Sequence, residues 1–362
     1  MDRRRALLVG AALLFVAALL ARTQVDSQSR PIRRTSRSGT TAGSVDIGDA
    51  VSLDNTTTSA TAPATTATSK PVRTATTRRS VATAAPCGVF PPDNPWNTDI
   101  SNAPVHANSR NYIASIGVGG HLHPDFGTSY DGAPIGIPFE HVGADQPGVP
   151  VSFDYADESD PGPYPIPSDA AVEGGADSTG DRHVIVVDDA TCKLYELYDA
   201  HRQGAGWHAG SGAVFDLRTN ALRHDYWTSA DAAGLPIYAG LVRYDEVQAG
   251  AINHALRFTV AQTQRGFIHP ATHFASNSRD ANRPPMGLRL RMLASYSCTS
   301  LSRETQVICA ALKRFGMIVA DNGSNWFVSG QHDPRWNDGA LDDLKTVPGS
   351  AFDVVDTGPV IH

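Results

Sequence analysis

Between Thr23 and Pro86 the chain runs for 64 residues on Ser, Thr, Ala and Arg, with almost no large apolar side chains. Such a stretch cannot bury enough surface to offset the entropy of ordering it, so residues 23–86 read as a disordered linker or stalk. Whatever folds around a core is thereby confined to residues 87–362. The tracts Asn55-Thr56-Thr57-Thr58 and Thr65-Thr66-Ala67-Thr68 fit either a bare tether or an O-glycosylated stalk.

Upstream of the linker, Met1-Asp2-Arg3-Arg4-Arg5 precedes an uncharged apolar run from Ala6 to Ala21, closed by Arg22. That order of charged, apolar and polar segments is the order of an export signal, and residues 1–22 are assigned as a signal peptide or signal anchor. At about 1.5 Å per residue the run reaches roughly 24 Å, short of a hydrocarbon layer of roughly 30 Å, which favours cleavage. Its end, Leu19-Leu20-Ala21, offers one small residue where a signal peptidase wants two, so an uncleaved membrane anchor stays open. In both cases the leading arginines hold the N-terminus inside and send the rest out, secreted or on the cell surface.

Charge divides at the same boundary. Residues 1–86 hold 12 Lys and Arg against 5 Asp and Glu, a balance of +7, and residues 87–362 hold 18 against 32, a balance of −14. A domain so acidic lacks the general attraction for phosphate on which nucleic-acid binding rests. Its four cysteines, Cys87, Cys192, Cys298 and Cys309, are even in number and read as two disulfides in an exported chain. Cys87 with Cys192 and Cys298 with Cys309 is the favoured pairing, and no Cys-x-x-Cys spacing points to zinc.

Within the domain, Phe90 to Pro167 is dense in Pro, Gly and Asp and reads as edge strands and long loops. The runs Arg182–Val187 and Cys192–Tyr198 flank Asp188-Asp189-Ala190-Thr191 as a hairpin. Period-two alternation predicts half-buried strands at His254–Val260 and Leu288–Met292. Ser302 caps a predicted helix over Arg303–Phe315, with an apolar stripe through Val307, Ile308, Ala311, Leu312 and Phe315 and a stop at Gly316. Met317–Ala320 and Trp326–Val328 read as a second hairpin around the turn Asp321–Asn325. The fold class expected from this pattern is mainly β: a single antiparallel β-sandwich or jelly roll with one packed helix and long loops.

The run Ser211-Gly212-Ala213-Val214-Phe215-Asp216-Leu217, the run Trp227 to Pro236 and the segment His254-Ala255-Leu256-Arg257-Phe258 resemble an uncharacterised family of exported bacterial proteins. The resemblance covers roughly residues 88–356 and implies export and one β-rich domain, without an activity to carry over.

Candidate chemistry starts with carboxylates, because cleavage of a glycosidic bond needs a protonated acid and an ionised partner. Glu173, Asp181, Glu196, Asp216, Asp231 and Glu246 sit in or beside predicted strands. Glu196 shares a strand face with Leu194 and Tyr198, where burial would raise its pKa, and the competing account is a solvated edge residue. Asp231 lies in the small-residue loop Ser229–Gly234, able to admit a ligand or simply to cap its own turn. His254 is a candidate base or a hydrogen-bonded core histidine. Arg257, Arg289 and Arg291 would hold sugar carboxylates if their strands adjoin, and Trp227 would stack on a sugar ring or pack in the core.

Glu196, Asp231 and His254 are thus the catalytic candidates, with Arg257, Trp227, Arg289 and Arg291 as substrate-binding candidates. His121-Leu122-His123-Pro124-Asp125 puts two imidazoles on one side of an extended segment but lacks the rest of a metal site. The acidic run Asp154, Asp157, Glu158 and Asp160 lacks a regular calcium loop. No phosphate loop, dinucleotide fingerprint or nucleophile elbow is present, so no cofactor is called. Three classes remain: a glycoside hydrolase or polysaccharide lyase, a non-catalytic module binding polysaccharide or a cell-wall polymer, and a structural surface protein.

Overall fold

The computed structural model describes residues 87–362, so the apolar run Ala6–Ala21 and the linker 23–86 lie outside the described residues. No helix among the described residues is long and apolar enough to cross a membrane. Strands outnumber helices, and they form three sheets. The largest has six strands in the order β1 (His123–Asp125), β12 (Phe327–Ser329), β9 (Leu256–Val260), β11 (Met317–Asn322), β10 (Arg289–Met292) and β13 (Phe352–Val354). A second has four, β2 (Glu140–Val142), β4 (Val184–Asp188), β5 (Lys193–Tyr198) and β8 (Ser211–Asp216). The third joins β3 (Val151–Phe153), β7 (Gly206–Ala209) and β6 (His201–Gln203).

The expectation of antiparallel sheets needs correction, because each sheet contains a parallel pair. β1 runs parallel to β12, β9 to β11, β2 to β4 and β3 to β7. Parallel neighbours require a long crossover, and between β9 and β11 it carries β10 and the helix α3 (Arg303–Arg314), which follows α1 (Ser109–Ile116) and α2 (Tyr244–Ala249) in the chain. The second predicted hairpin is also replaced: β11 and β12 do not pair with each other, since β9 lies between them and bonds to both.

Alternation explains why β9 is central. Leu256, Phe258 and Val260 are wholly buried in the main core with Met317, Val319, Val328 and Leu290, while Arg257 and Thr259 face the other way. On α3, Ser302 accepts the Thr305 N–H as an N-cap, and Val307, Ile308, Ala311 and Leu312 join the same core. Gly316, at φ +71°, ends the helix in the left-handed conformation that favours glycine. β4 and β5 form the predicted hairpin, with the Asp188 carboxylate taking the N–H groups of Ala190 and Thr191 in the turn. Disulfides join Cys87 to Cys192 and Cys298 to Cys309, with Cα atoms 5.4 and 6.6 Å apart.

A β-bulge decides what the polar face of the large sheet presents. Ile318 pairs with Arg257 and Val319 with Phe258, but the next partner of Thr259 is Asp321, so Ala320 is left over. The extra residue turns Asp321 onto the face of Arg257 and Thr259, where regular pairing would have put alanine.

Candidate functional site

Arg257 is the centre of a cluster of charged side chains between residues of the large and the four-stranded sheets. Its Nε donates to Asp231 Oδ2 at 2.7 Å, Nη1 to Ser329 Oγ at 2.6 Å and Nη2 to Asp321 Oδ2 at 3.5 Å. Ser329 stands in register with Asp125 on β1, so that carboxylate belongs to the same face. From the four-stranded sheet side come His183, at the entrance to β4, and Glu173, whose Oε2 lies 2.5 Å from His183 Nδ1. His183 Nε2 bonds the Ala230 carbonyl, one residue from Asp231, and thereby ties the second sheet to the first.

The carboxylates differ in how they meet water. Asp231 and Glu196 are buried, Asp321 and Glu173 keep about a quarter of their side-chain surface (26% and 24%), and Asp125 and Asp181 are exposed. A buried floor with a solvent-reaching acidic rim results. Burial, with Asp231 beside it, pushes the Asp321 carboxyl up to about 7, although Arg257 opposes the rise. Partial desolvation by the protein packed around it, and then the charge of Glu173, push the Asp125 carboxyl up to about 6, although its side chain keeps contact with water. Burial also raises Asp231, against the guanidinium and the Ala233 N–H. One guanidinium faces two carboxyls, so the pair shares a proton near neutral pH, with Asp231 held at 2.7 Å and Asp321, 3.5 Å away, reaching solvent.

His183 and Glu173 settle the opposite way. Burial alone would depress the imidazole and raise the carboxyl, but their mutual attraction outweighs it, putting His183 at about 9 and holding Glu173 below its ordinary value. They form a charged pair at neutral pH. Tyr198, half-buried on β5, lies near Asp181 and Asp321, and burial lifts its hydroxyl to about 12. Its ring rests on Gly210, where an added Cβ would come within 2.8 Å.

Of the residues picked from sequence, Asp231 and Arg257 belong to this cluster, with Glu173 and Asp181. Glu196 lies beneath it at 0% exposure, and its two oxygens accept the N–H groups of Ile237 and Tyr238 at 2.9 and 2.8 Å. Burial pushes it to about 7 despite those bonds. It fixes the start of the 3-10 turn Tyr238–Gly240 from the neighbouring sheet. The loop Ser229–Gly234 is packed between sheets: Ala230, Asp231 and Ala233 are buried, and a Cβ on Gly234 would sit 2.1 Å from Thr272 Oγ1.

His254 stands apart, buried, with Nδ1 on its neighbour's carbonyl oxygen and Nε2 3.1 Å from Glu246, which also takes Arg243. The three arginines do not meet. Arg289 donates to the carbonyls of Phe315, Pro95 and Thr98, and Arg291 to those of Ile100, Ser101 and Ala103. Trp227 lies half-buried on a loop against His224. Asp216 is engaged by Arg218.

Asp125, His183, Tyr198, Asp321 and Ser329 were missed. In the sequence Asp125 closes a histidine-spaced pattern and Asp321 opens a turn, and no group able to hold a metal ion is found among the described residues. A cavity of about 610 Å³ lies elsewhere, lined among others by Thr98, Asp99, His269, Arg289 and Asp356. Its buried cation, Arg289, has its donors on backbone carbonyls rather than on carboxylates. No protein-family model, curated protein or solved structure matches the chain.

Proposed function

We propose that the protein is an exported hydrolase of polysaccharide, with proton transfer carried out by the carboxyls around Arg257. The supporting observation is the bulge at Ala320, which turns Asp321 toward a guanidinium already engaged by Asp231 while leaving it open to solvent. Bulges gather beside active sites because they re-aim a single side chain. Between about pH 6 and 7 Asp321 holds its proton and Asp125 has lost its own, the two states that hydrolysis of a glycosidic bond requires.

In this reading Asp321 gives its proton to the glycosidic oxygen as the bond to the anomeric carbon breaks. Asp125 takes a proton from the water whose oxygen bonds that carbon, and solvent exchange restores both carboxyls. Arg257 and the His183–Glu173 pair hold the field in which the two acids titrate apart. Export draws support from the two disulfides, which persist in oxidising surroundings, and from the leader-like residues 1–22.

A panel of plant, microbial and cell-wall polysaccharides, read for new reducing ends and for binding, tests the proposal. The wild-type protein releases reducing ends from at least one polymer, and Asp321→Asn lowers turnover by about 10²–10⁴-fold while retaining binding. Neither product nor binding across the panel removes the polysaccharide reading. Product unaffected by Asp321→Asn removes the assigned acid.

A further inference from the structure

Away from the carboxylates, the irregular segment that follows β8 carries partly exposed aromatic rings at the margin of the main core, against which Phe274 also packs. Tyr226 is 49% exposed, and its backbone sits at φ +73°, the left-handed region that side-chain-bearing residues enter only under strain. Its ring meets Phe267 and Phe274 edge-on at 5.6 and 6.4 Å, and its hydroxyl donates to the His362 carbonyl at 3.2 Å. Phe274, half-buried, stacks on His273 and lies 5.3 Å beneath the exposed Arg265 guanidinium. Next along the chain, Trp227 is half-buried against the exposed His224.

Strain accepted to hold a large aromatic out of the core calls for a compensating role, because ordinary burial would favour the opposite choice. Partly exposed rings bordered by planar donors suit a ligand with apolar faces and a hydroxylated edge: C–H groups lie on the ring, and hydroxyls meet the guanidinium and imidazoles at its margin. A pyranose has that character. We propose that Tyr226, Phe274 and Trp227, with Arg265 and His224, form a binding surface for the sugar rings of a polysaccharide chain, separate from the Arg257 carboxylates. The inference rests on the polysaccharide reading above and adds a second, non-catalytic place of contact. Four residues link Tyr226 to Asp231, and the Thr272 hydroxyl, donating to the Trp227 carbonyl, fastens the aromatic loop to the segment that carries Phe274.

Native affinity electrophoresis in gels cast with soluble xylan, mixed-linkage β-glucan or polygalacturonate reads this contact directly. Tyr226→Gly removes the ring and relieves the backbone, so it keeps the fold by circular dichroism and thermal melting while weakening retardation about tenfold. Tyr226→Phe keeps the ring and stays within about twofold of wild type, and Asp321→Asn is retarded as wild type. Full retardation of Tyr226→Gly in a gel that retards the wild type overturns the aromatic surface and leaves the carboxylate site standing. A wild type retarded in none of the gels, and releasing no product from the same polymers, overturns the polysaccharide reading and this inference with it.

Discussion

Arg257 and Arg289 are nearly equal in burial, at 4% exposure each, and stand in register across one strand of the same sheet, both opposite Ile318. Their surroundings set them apart. Arg257 is ringed by carboxyls, which lift its pKa further above the ordinary arginine value in spite of burial. Arg289 donates to three backbone carbonyls with Asp99 as its distant counter-charge, and burial lowers it to about 10. A guanidinium among carbonyls fastens one chain segment to another and leaves nothing to titrate near neutral pH. A guanidinium among several carboxyls makes a shared proton unavoidable, and a shared proton is what acid–base chemistry uses.

The comparison breaks most visibly on removal of the cations. Arg257→Met leaves the buried Asp231 without its charge partner and costs about 3–5 kcal/mol, measured by urea unfolding at pH 7. Arg289→Met leaves three carbonyls without a donor, each costing about 1–3 kcal/mol where water cannot reach it, and the loss is the same at pH 5 and pH 8. The loss at Arg257 is smaller at pH 5, where Asp231 and Asp321 take up protons more readily. Equal pH dependence at the two sites would dissolve the distinction.

Activity separates the two surroundings next. Turnover of any polymer identified as substrate follows a bell, rising as Asp125 ionises near pH 6 and falling as Asp321 loses its proton near pH 7. Asp321→Asn removes the falling limb along with most of the rate, and a falling limb that survives in residual turnover would assign it to another group.

Stability against pH gives a smaller signal of known sign. The folded Asp321 carboxyl binds its proton more tightly than the unfolded one, so its contribution is complete below about pH 4 and is lost as pH rises through about 7. Asp321→Asn abolishes that part of the decline, which paired unfolding curves at pH 5 and pH 8 measure. Asp99→Asn, on the Arg289 side, changes turnover by less than about twofold. The Asp99 carboxyl is held near 2 by bonds from Ser101 and Arg314, and so keeps no proton to donate.

Local signals carried the elements well. The Ser302 cap, the stripe on α3, the β4–β5 hairpin and the alternation on β9 all act within a few residues, and the structure follows them. Strand neighbours were less legible. Whether β12 returns beside β11 or beyond β9 depends on the long crossover through residues 261–316, and no residue in the turn Asp321–Asn325 encodes that choice. The same gap hid the site. Asp125, Asp181, Asp321 and Ser329 come from segments up to 204 residues apart, and Asp321 enters through a bulge visible only once its partner strand is known. Arg257 and Asp231 were found because burial pattern and loop composition mark them individually.

The disulfide between Cys87 and Cys192 has a mechanical consequence. A pull transmitted along the chain from residues before Cys87 reaches a covalent branch at that cysteine, and the load passes through sulfur to Cys192 beside β5. Residues 88–191, which include Asp125, Glu173, Asp181 and His183, lie inside the bypassed loop and bear none of the tension. Reduction of that single bond would put the same residues in series with the force, and three of the four carboxylates of the acidic rim would be in the part drawn out.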